Sequence, residues 1–407
     1  MRILYLHQYF VTRGGVGGTR SYEFARFLVG RGHEVTMVTA AGEGAERRVS
    51  RRMVDGIGLV EVKAGYSDYV SGTKLSYGRR VGSFAAFAAA ATAAAVREER
   101  PDVVYATSPP LTMALPALAA SRRHRVPLVF EVRDLWPEAP IQMGALRGAL
   151  PIRLARALER TVYRGAERVV ALSPGMRDGI VAAGKDPERV AVIPNASDLD
   201  LFSPAVDGVA TRERLGLGER FVCSYFGTMG EANDLTQVLE AGRVLAERNE
   251  NGVVFVLHGD GKRREALAAR ARELGLRNVV FSEPIPDKRS IAELAAASDA
   301  CMTIYKNVPV LYTCSPNKLF DTFAAGRPAI VNTPGWQKDL VEDNEAGLYA
   351  RPGDGADLAD VVLRLRDDPA LAEKLGRNAR RLAETEFARE KLALKLESVL
   401  EAAIRGV

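Results

Sequence analysis

The residues that follow Ser315 have the types and spacing of a phosphate-binding helix start. A hydroxyl residue before a proline is a common helix N-terminus, so we expect Ser315 to cap a helix that begins at Pro316 and ends at Gly326. The first-turn amides of Asn317 and Lys318 then lack partners at the positive end of the helix dipole, and the Lys318 ammonium adds a full charge. This stretch predicts a site for a phosphate group.

Asp321 lies one helical turn further, about 5 Å along the axis. This is roughly the offset between a pyrophosphate and the ribose that carries it, so the Asp321 carboxylate could accept hydrogen bonds from both ribose hydroxyls. The same residues also suit a capped surface helix in which Lys318 and Asp321 form a weak ion pair three residues apart. These residues alone leave both interpretations open.

A second cluster of polar residues follows a predicted buried strand at residues 127–131. It contains Arg133, Asp134 and Glu138. Ligands bind at the carboxyl ends of strands in open α/β sheets, so these three side chains are candidate catalytic residues. The alternative is a surface loop in which Arg133 and Asp134 pair with their neighbours.

A glycine turn that contains Gly17 and Gly18 joins a predicted strand at residues 2–10 to a predicted helix at residues 19–30. It lacks the full spacing of a dinucleotide-binding loop, and a plain tight turn is the alternative.

The elements that must position these residues alternate between strand and helix along the chain, which indicates parallel sheets with right-handed crossovers. A chain of 407 residues is too long for one ordinary core. We therefore predict an α/β fold of two Rossmann-like domains whose parallel sheets face a central, ligand-binding cleft. The domains are expected at residues 1–197 and 216–387, with a linker at 198–215 and a last helix at 388–407 that returns to the first domain.

The composition is that of an ordinary globular protein, with 47% hydrophobic and 26% charged residues. The net charge of +5 suits anionic substrates or an anionic membrane surface. No nucleic-acid-binding motif is found, so nucleic acid is not an expected partner. The spacing of Cys223, Cys301 and Cys314 indicates neither a metal nor a redox site, and Asp198 and Asp200 are interpreted as turn formers. No signal peptide is recognised, and a cytoplasmic location is expected.

A predicted helix at residues 74–97 suggests where the protein works. Its aromatic face is bordered by arginines, which suits a helix lying in the surface of an anionic membrane. The alternative is that Phe84 and Phe87 pack into the core. The residues that define the face and its border are Tyr77, Val81, Phe84, Phe87, Arg79 and Arg80.

Taken together, the motifs resemble the retaining nucleotide-sugar glycosyltransferases of the GT-B architecture, nearly end to end. The motifs are Gly17-Gly18, Arg31 to Val35, Val192 to Asn195, Gly259-Asp260-Gly261, and Asp321 followed by Ala324 to Pro328. The stretches Glu131 to Glu138 and Ser315 to Lys318 are similar to those of transferases in bacterial O-antigen and capsule assembly, including N-acetyl-L-fucosamine transferases.

The resemblance implies metal-independent transfer, with retention, of a sugar from a UDP-sugar to the hydroxyl of a lipid-linked or small-molecule acceptor. The donor would be a substrate, and no cofactor is implied. An N-acetylaminosugar is one donor class that the resemblance suggests. The donor-binding residues implied are Gly17, Gly18, Gly227, Thr228, Asn233, Lys262, Pro284, Ile285, Ser315, Asn317, Lys318 and Asp321.

The chain departs from the family at five positions. Thr313 and Asp321 stand where the family carries two glutamates, Thr228 and Asn233 where it carries an arginine and a lysine, and Arg133 where it carries a histidine. We therefore expect Lys318, with Lys262 or Arg263, to meet the pyrophosphate charge. An epimerase on the same architecture, or an inactive relative that serves as a binding or scaffold protein, remains an alternative.

Overall fold

The computed structural model describes residues 1–14, 18–42, 46–64, 77–196, 198–283 and 287–406, and no side chain of residues 77 and 78. The chain forms two compact units. Unit 1 contains Met1–Pro194 and Glu390–Val407, and unit 2 contains Asn195–Arg389. Residues 198–215, expected as a linker, thus belong to unit 2, and the last helix belongs to unit 1.

Unit 1 is built on an eight-stranded sheet in the described part of the chain. The strands are β1 (Arg2–Leu6), β2 (Glu34–Ala40), β3 (Val49–Val54), β4 (Ile57–Val62), β5 (Val103–Ser108), β6 (Leu128–Val132), β7 (Arg168–Ala171) and β8 (Val190–Val192). They lie in the order β3-β4-β2-β1-β5-β6-β7-β8. All neighbours are parallel except β3 and β4.

Six described helices of unit 1 precede its boundary with unit 2. They are α1 (Arg20–Gly30), α2 (Tyr77–Ala95), α3 (Ala114–His124), α4 (Glu138–Gln142), α5 (Ala149–Gly165) and α6 (Pro174–Ala182). The central strands β5 and β6 are buried at every position. Parallel strands covered by helices on both faces have this pattern, which is why these segments are nearly continuous apolar runs in the sequence.

Unit 2 contains a six-stranded parallel sheet in the order β11-β10-β9-β12-β13-β14. Its strands are β9 (Phe221–Phe226), β10 (Val253–His258), β11 (Val279–Ser282), β12 (Ala300–Thr303), β13 (Ala329–Val331) and β14 (Gly347–Tyr349). Its described helices are α7 (Val209–Arg214), α8 (Thr236–Glu247), α9 (Arg264–Glu273), α10 (Lys288–Ala297), α11 (Asn317–Ala324), α12 (Trp336–Asp343), α13 (Gly355–Asp367) and α14 (Pro369–Thr385). The two-domain parallel α/β prediction is confirmed.

The last helix, α15 (Arg389–Arg405), is tied to unit 1 by a charged cluster. The Glu397 carboxylate lies 2.6 Å from Nε2 of His33 and 3.4 Å from Nε of Arg31. His33 follows α1, so this contact joins the end of the chain to the first strand–helix–strand unit of the sheet.

Two strand predictions in unit 1 need correction. β1 ends at Leu6, so the polar residues that follow it form a loop at the carboxyl edge of the sheet and not the end of a strand to residue 10. β3, Val49–Val54, was missed because four of its six residues are exposed and none is buried, as it lies at the sheet edge. An edge strand with arginines on it has no apolar signal, although such polar edges are usual in proteins.

The membrane-surface interpretation of α2 is wrong. Phe87 is fully buried and Phe84 is 6% exposed. The Phe84 ring packs edge-on against Trp136 at 6.2 Å between ring centroids. Phe84 and Phe87 therefore belong to the core of unit 1, and among the described side chains of that face only Val81 is substantially exposed. The side chain of Tyr77 lies outside the described residues. No helix in the described ranges is long and apolar enough to cross a membrane.

Candidate functional site

The helix α11 begins one residue later than predicted, at Asn317, and no side chain caps it among the described residues. The Ser315 hydroxyl instead accepts a hydrogen bond from the backbone N–H of Asn195 at 3.1 Å, and the Asn195 side-chain amide donates to the Ser315 carbonyl at 2.6 Å. The prediction of Ser315 as the cap is therefore wrong, because another segment occupies its hydroxyl. The amide of Leu319 donates to the Pro316 carbonyl at 3.1 Å, whereas the amides of Asn317 and Lys318 have no acceptor among the described residues and remain for a ligand.

Lys318 lies in the first turn of α11, against the carboxyl end of β9. Its ammonium donates a 2.7 Å hydrogen bond to the Tyr225 hydroxyl and lies 3.9 Å from the Tyr225 ring centroid and 5.8 Å from that of Tyr305. Although part of the Lys318 side chain is accessible, burial of the ammonium lowers the pKa of Lys318 to about 7. A cation in such surroundings would be strongly stabilised by an incoming anion.

The turns after β9 and β10 pack backbone against backbone beside this lysine. Gly227 and Gly259 both have positive φ angles, of 136° and 134°. A Cβ at Gly259 would lie 2.0 Å from the Gly227 carbonyl oxygen, and a Cβ at Gly227 would lie 3.1 Å from Nζ of Lys318. Glycine is required at both positions because a side chain would separate the two turns or displace the lysine.

The remaining predicted donor-binding residues of unit 2 are arranged around these turns. Thr228 is exposed, and its carbonyl accepts a 2.7 Å hydrogen bond from Tyr225. The Asn233 amide donates to the Ile304 carbonyl at 3.2 Å, next to β12. Lys262 is exposed in the turn after β10. Asn317 is exposed as the first residue of α11.

Three predicted donor-binding residues, Gly17, Pro284 and Ile285, lie outside the described residues. Gly18 is described and is only two residues before α1 in unit 1.

Asp321 is 9% exposed, one turn beyond Lys318. Burial raises the pKa of Asp321 to about 6, an effect that the positive charges of Lys288 and Arg389 oppose and the charge of Asp198 reinforces. Asp198 itself forms an ion pair with Arg389 at 3.3 Å. No ion pair between Lys318 and Asp321 is found among the described residues, so the surface-pair interpretation of this helix is not supported.

Thr313 stands at the position of the family's first glutamate. It lies at the end of a short 3-10 helix, Pro309–Thr313, and its hydroxyl donates to the Val310 carbonyl at 2.8 Å. A threonine hydroxyl at this position cannot supply a negative charge to a ligand.

In unit 1, the loops after β1 and β6 bring Arg133 together with His7. Nη1 of Arg133 lies 3.4 Å from Nε2 of His7. His7 is 2% exposed, and burial together with the Arg133 charge lowers the pKa of His7 well below its usual value. The imidazole is therefore neutral at pH 7. Burial raises the pKa of the neighbouring Asp134 to about 6, an effect that Arg133 opposes.

Glu138, predicted with Arg133 and Asp134, has different partners. It is the first residue of α4 and accepts hydrogen bonds from Gln142 at 2.9 Å and from Arg156 of α5 at 3.4 Å. Its carboxylate is 39% exposed. These contacts connect α4 to α5, so the described geometry gives Glu138 a surface ion pair.

A buried ion pair behind Arg133 was missed in the sequence. Arg20, the first residue of α1, donates to the Glu131 carboxylate of β6 at 2.9 Å. Glu131 also accepts from the Tyr105 hydroxyl at 2.8 Å and the Thr107 hydroxyl at 2.7 Å. The Arg20 and Arg133 charges hold the pKa of Glu131 below its usual value despite full burial. A glutamate inside an apolar strand was the available signal, because buried carboxylates are almost always paired.

Arg20 also fixes the end of β8. Its guanidinium donates to the backbone carbonyls of Ile193 and Pro194, at 2.9 Å and 2.6 Å. One buried cation thus joins α1, β6 and the last residues of unit 1 before the boundary with unit 2.

An open cavity of about 710 Å³ in unit 2 lies on the side of α14 and contains none of the predicted site residues. Its charged walls include Arg327, Arg377 and Glu373. Within the described ranges, no cluster of three or more His, Cys, Asp or Glu side chains could hold a metal ion.

Two family descriptions match the chain. Residues 14–196 match the family described as glycosyl transferase 4-like domain. Residues 220–368 match the family described as glycosyl transferases group 1. The two matches cover most of unit 1 and most of unit 2.

Individual relatives are also described as glycosyltransferases. The D-inositol 3-phosphate glycosyltransferase of Thermomonospora curvata is 30% identical over 91% of this chain and 88% of its own length. The putative colanic acid biosynthesis glycosyl transferase WcaI of Escherichia coli is 25% identical over 58% of each chain. Among solved structures, HepE of Anabaena in complex with UDP-glucose has a TM-score of 0.72 and 21% identity, covering 99% of this chain and all of its own.

Proposed function

The chain belongs to the group 1 glycosyltransferases with the GT-B architecture, and from this premise we propose that it transfers a sugar from a UDP-sugar to an acceptor hydroxyl, with retention. The observation that carries the proposal is the Lys318 ammonium, held over Tyr225 beside the Gly227 turn and the start of α11. This arrangement offers a cation and free helix amides at one place, which is what a diphosphate requires.

The donor site lies in unit 2. The diphosphate is bound by Lys318, by the first-turn amides of α11 and by the glycine turn at Gly227. Lys262, exposed in the adjacent turn, supplies a second positive charge. The ribose hydroxyls donate to the Asp321 carboxylate, which the Lys288 and Arg389 charges help to keep ionised.

The binding of the base is assigned to Pro284 and Ile285, on the resemblance alone. The UDP donor class is supported by the complex of HepE with UDP-glucose. Ser315 contributes indirectly, because its contacts with Asn195 position the segment that enters α11.

The protein positions the substrates and supplies positive charge, and the leaving diphosphate of the donor acts as the general base. As the glycosidic bond to the diphosphate breaks, negative charge develops on the leaving phosphate, where Lys318 and the helix amides stabilise it. A phosphate oxygen then accepts the proton of the incoming acceptor hydroxyl on the same face of the sugar, which preserves the anomeric configuration. No metal ion is needed in this scheme, because the lysines and the helix amides neutralise the diphosphate.

Arg133 and Asp134 are assigned to the donor sugar or the acceptor. Arg133 is held by the neutral His7 ring, and the pKa of about 6 for Asp134 leaves this carboxylate able to accept a hydrogen bond at neutral pH. Glu138 is the third residue assigned to the donor sugar or the acceptor. Its contacts with Gln142 and Arg156 also fix α4 to α5.

We place the reaction in bacterial polysaccharide or glycolipid assembly in the cytoplasm, with a lipid-linked or small-molecule acceptor. WcaI supports this assignment by its description as a colanic acid enzyme. An N-acetylaminosugar is the donor class to be tested first, because it follows from the motif resemblance.

A panel of UDP-sugars with and without acceptor alcohols tests the proposal. Turnover that requires an acceptor, with the product in the donor's anomeric configuration by NMR, is expected. Sugar conversion without an acceptor would indicate an epimerase. Tight UDP-sugar binding without turnover on any acceptor would indicate a binding or scaffold protein.

A further inference from the structure

The helix α5, Ala149–Gly165, carries an apolar stripe on its solvent side. Leu150 is 66% exposed and Leu154, one turn later, is 63% exposed. Ala157 and Thr161 continue the exposed stripe at the same helical spacing. The opposite side of the helix holds Tyr163, which is buried. A helix whose only task is to cover the sheet would place polar residues on its outer face.

Arginines border this stripe along one side. Arg153, Arg160 and Arg164 follow one another at spacings of seven and four residues, and all three are exposed. At 100° per residue, these positions lie within about 80° of Leu150 on the helix. Within the described ranges, neither Arg153 nor Arg164 has an acidic partner at ion-pair distance. Their charges are available to a partner.

The single acidic residue of α5 offsets these charges only in part at neutral pH. Glu159 is turned toward Tyr163, and burial raises the pKa of Glu159 to about 7. The other nearby carboxylate, Glu138, is already paired with Arg156. The outer face of α5 is therefore positive and apolar at neutral pH.

The neighbouring helix α3 also carries an exposed leucine. α3 packs against α5, where the side chain of Leu118 meets Gly165, and Leu115 of α3 is 47% exposed. Leu150 and Leu154 form the apolar part of the outer face of α5, and Leu115 is a further exposed leucine of the same unit.

We propose that the outer face of α5 docks on the surface of an anionic lipid bilayer. The leucines enter the boundary between headgroups and acyl chains, and the arginines contact lipid phosphates. Charge complementarity selects this occupant. An apolar partner alone would not require three arginines, and an acidic protein partner would not require exposed leucines beside them.

The proposed membrane contact is thus made by α5 and not by α2, whose Phe84 and Phe87 are buried. It extends the proposed function by placing unit 1 at a membrane, where a lipid-linked acceptor would be found. The test below contains neither donor nor acceptor, so its outcome does not depend on transferase activity.

The experiment is co-sedimentation of the full chain with vesicles rich in phosphatidylglycerol and with vesicles of phosphatidylcholine alone, at low and high salt. We expect recovery with the anionic vesicles at low salt, reduced by salt. Arg153→Glu combined with Arg164→Glu should lower the partition coefficient at least about tenfold, since each basic residue near such a surface contributes about 1 kcal/mol. Leu150→Ser with Leu154→Ser should also weaken recovery.

Arg272→Glu with Arg277→Glu, which makes the same charge change at exposed positions of unit 2, is the matched control and should bind like the native chain. Arg153→Lys with Arg164→Lys should retain binding. Thermal unfolding verifies that each variant is folded. Equal recovery with both vesicle types, or a loss in the unit 2 control as large as in the α5 variant, would overturn the proposal. So would unchanged recovery of the α5 charge-reversal variant.

Discussion

The Lys318 ammonium donates its 2.7 Å hydrogen bond to Tyr225, a phenol that burial keeps neutral by raising its pKa strongly. The described residues place no carboxylate within ion-pair distance of Lys318. A lysine held by a neutral hydroxyl and two aromatic rings lacks the anion that normally accompanies a buried cation. In the proposed function, the donor diphosphate is that anion.

Lys318→Ala is expected to weaken binding of UDP much more than binding of uridine, because Lys318 is placed for phosphate. Loss of a hydrogen bond to a charged group costs about 1.5–3 kcal/mol, which corresponds to roughly a tenfold to hundredfold loss in affinity. Isothermal calorimetry measures both ligands. Lys262→Ala, at an exposed position, is the comparison and should show a smaller loss that is also selective for UDP. Equal losses for nucleoside and nucleotide would indicate a general disturbance of unit 2.

The binding of UDP should be linked to proton uptake by Lys318. A group with a pKa of about 7 is mostly neutral above pH 7, and an adjacent diphosphate favours its charged form. UDP affinity should therefore fall as the pH rises from 7 to 9, whereas below pH 7 the lysine already carries its proton. Calorimetry at pH 8 in buffers of different ionisation enthalpy should detect uptake of a proton. Lys318→Arg, which is always protonated, should bind UDP without this uptake, and uptake of the same size in that variant would remove Lys318 from the assignment.

Asp321→Ala should raise the donor KM strongly, whereas Asp321→Glu should be tolerated. The carboxylate is assigned to the ribose hydroxyls, and its loss should cost about 1.5–3 kcal/mol of donor binding. UDP and a 2′,3′-dideoxy analogue, measured by calorimetry, provide the control. The variant should lose affinity for UDP and little for the analogue. Unchanged UDP affinity in Asp321→Ala would make the ribose assignment wrong.

Arg133→Ala and Asp134→Ala should lower kcat while UDP binding stays nearly normal, because both residues lie in unit 1 and the nucleotide is assigned to unit 2. His7→Gln should have a smaller effect of the same kind, since His7 contacts Arg133 and is itself buried. Steady-state kinetics together with UDP calorimetry separates the two quantities. A variant of Arg133 with full turnover would exclude it from the site.

Much of the fold could be predicted because all neighbouring strands except β3 and β4 are parallel and the central strands are buried. Strands such as β9 and β10 are apolar at nearly every position, and the glycine turns that follow them mark the carboxyl edge. The positive φ angles of Gly227 and Gly259 explain why glycine marks these turns. The exposed edge strand β3 lacked such a signal and was missed.

The sequence could not show which partner each polar group would take. Ser315 has the type and position of a cap, yet a segment 120 residues earlier occupies its hydroxyl. Phe84 and Phe87 have the spacing of a helix face that lies on a membrane surface, yet a helix that packs against a sheet has the same spacing. In each case the deciding contact is distant in sequence, and local pattern carries no information about it.

The Arg20–Glu131 pair should stabilise unit 1 more than any exposed ion pair does. Glu131→Ala would leave the Arg20 guanidinium, 7% exposed, without its carboxylate, and breaking a buried pair in this way typically costs about 3–5 kcal/mol. The hydroxyls of Tyr105 and Thr107 would lose their acceptor as well. Thermal unfolding should show a lower midpoint for the transition of unit 1, and hydrogen exchange should locate the change in β5 and β6.

Glu401→Gln is the matched control, because Glu401 forms an exposed pair with Arg405 at 3.6 Å in α15. Its effect on the unfolding midpoint should be small, since such pairs contribute about 0.2–1 kcal/mol. Glu131→Gln keeps the volume and one of the two acceptor oxygens, and it should destabilise unit 1 less than Glu131→Ala. If Glu131→Ala unfolds at the same temperature as Glu401→Gln, the buried pair does not hold α1 to β6. Arg133, two residues beyond Glu131, would then owe its position to the loop and not to this network.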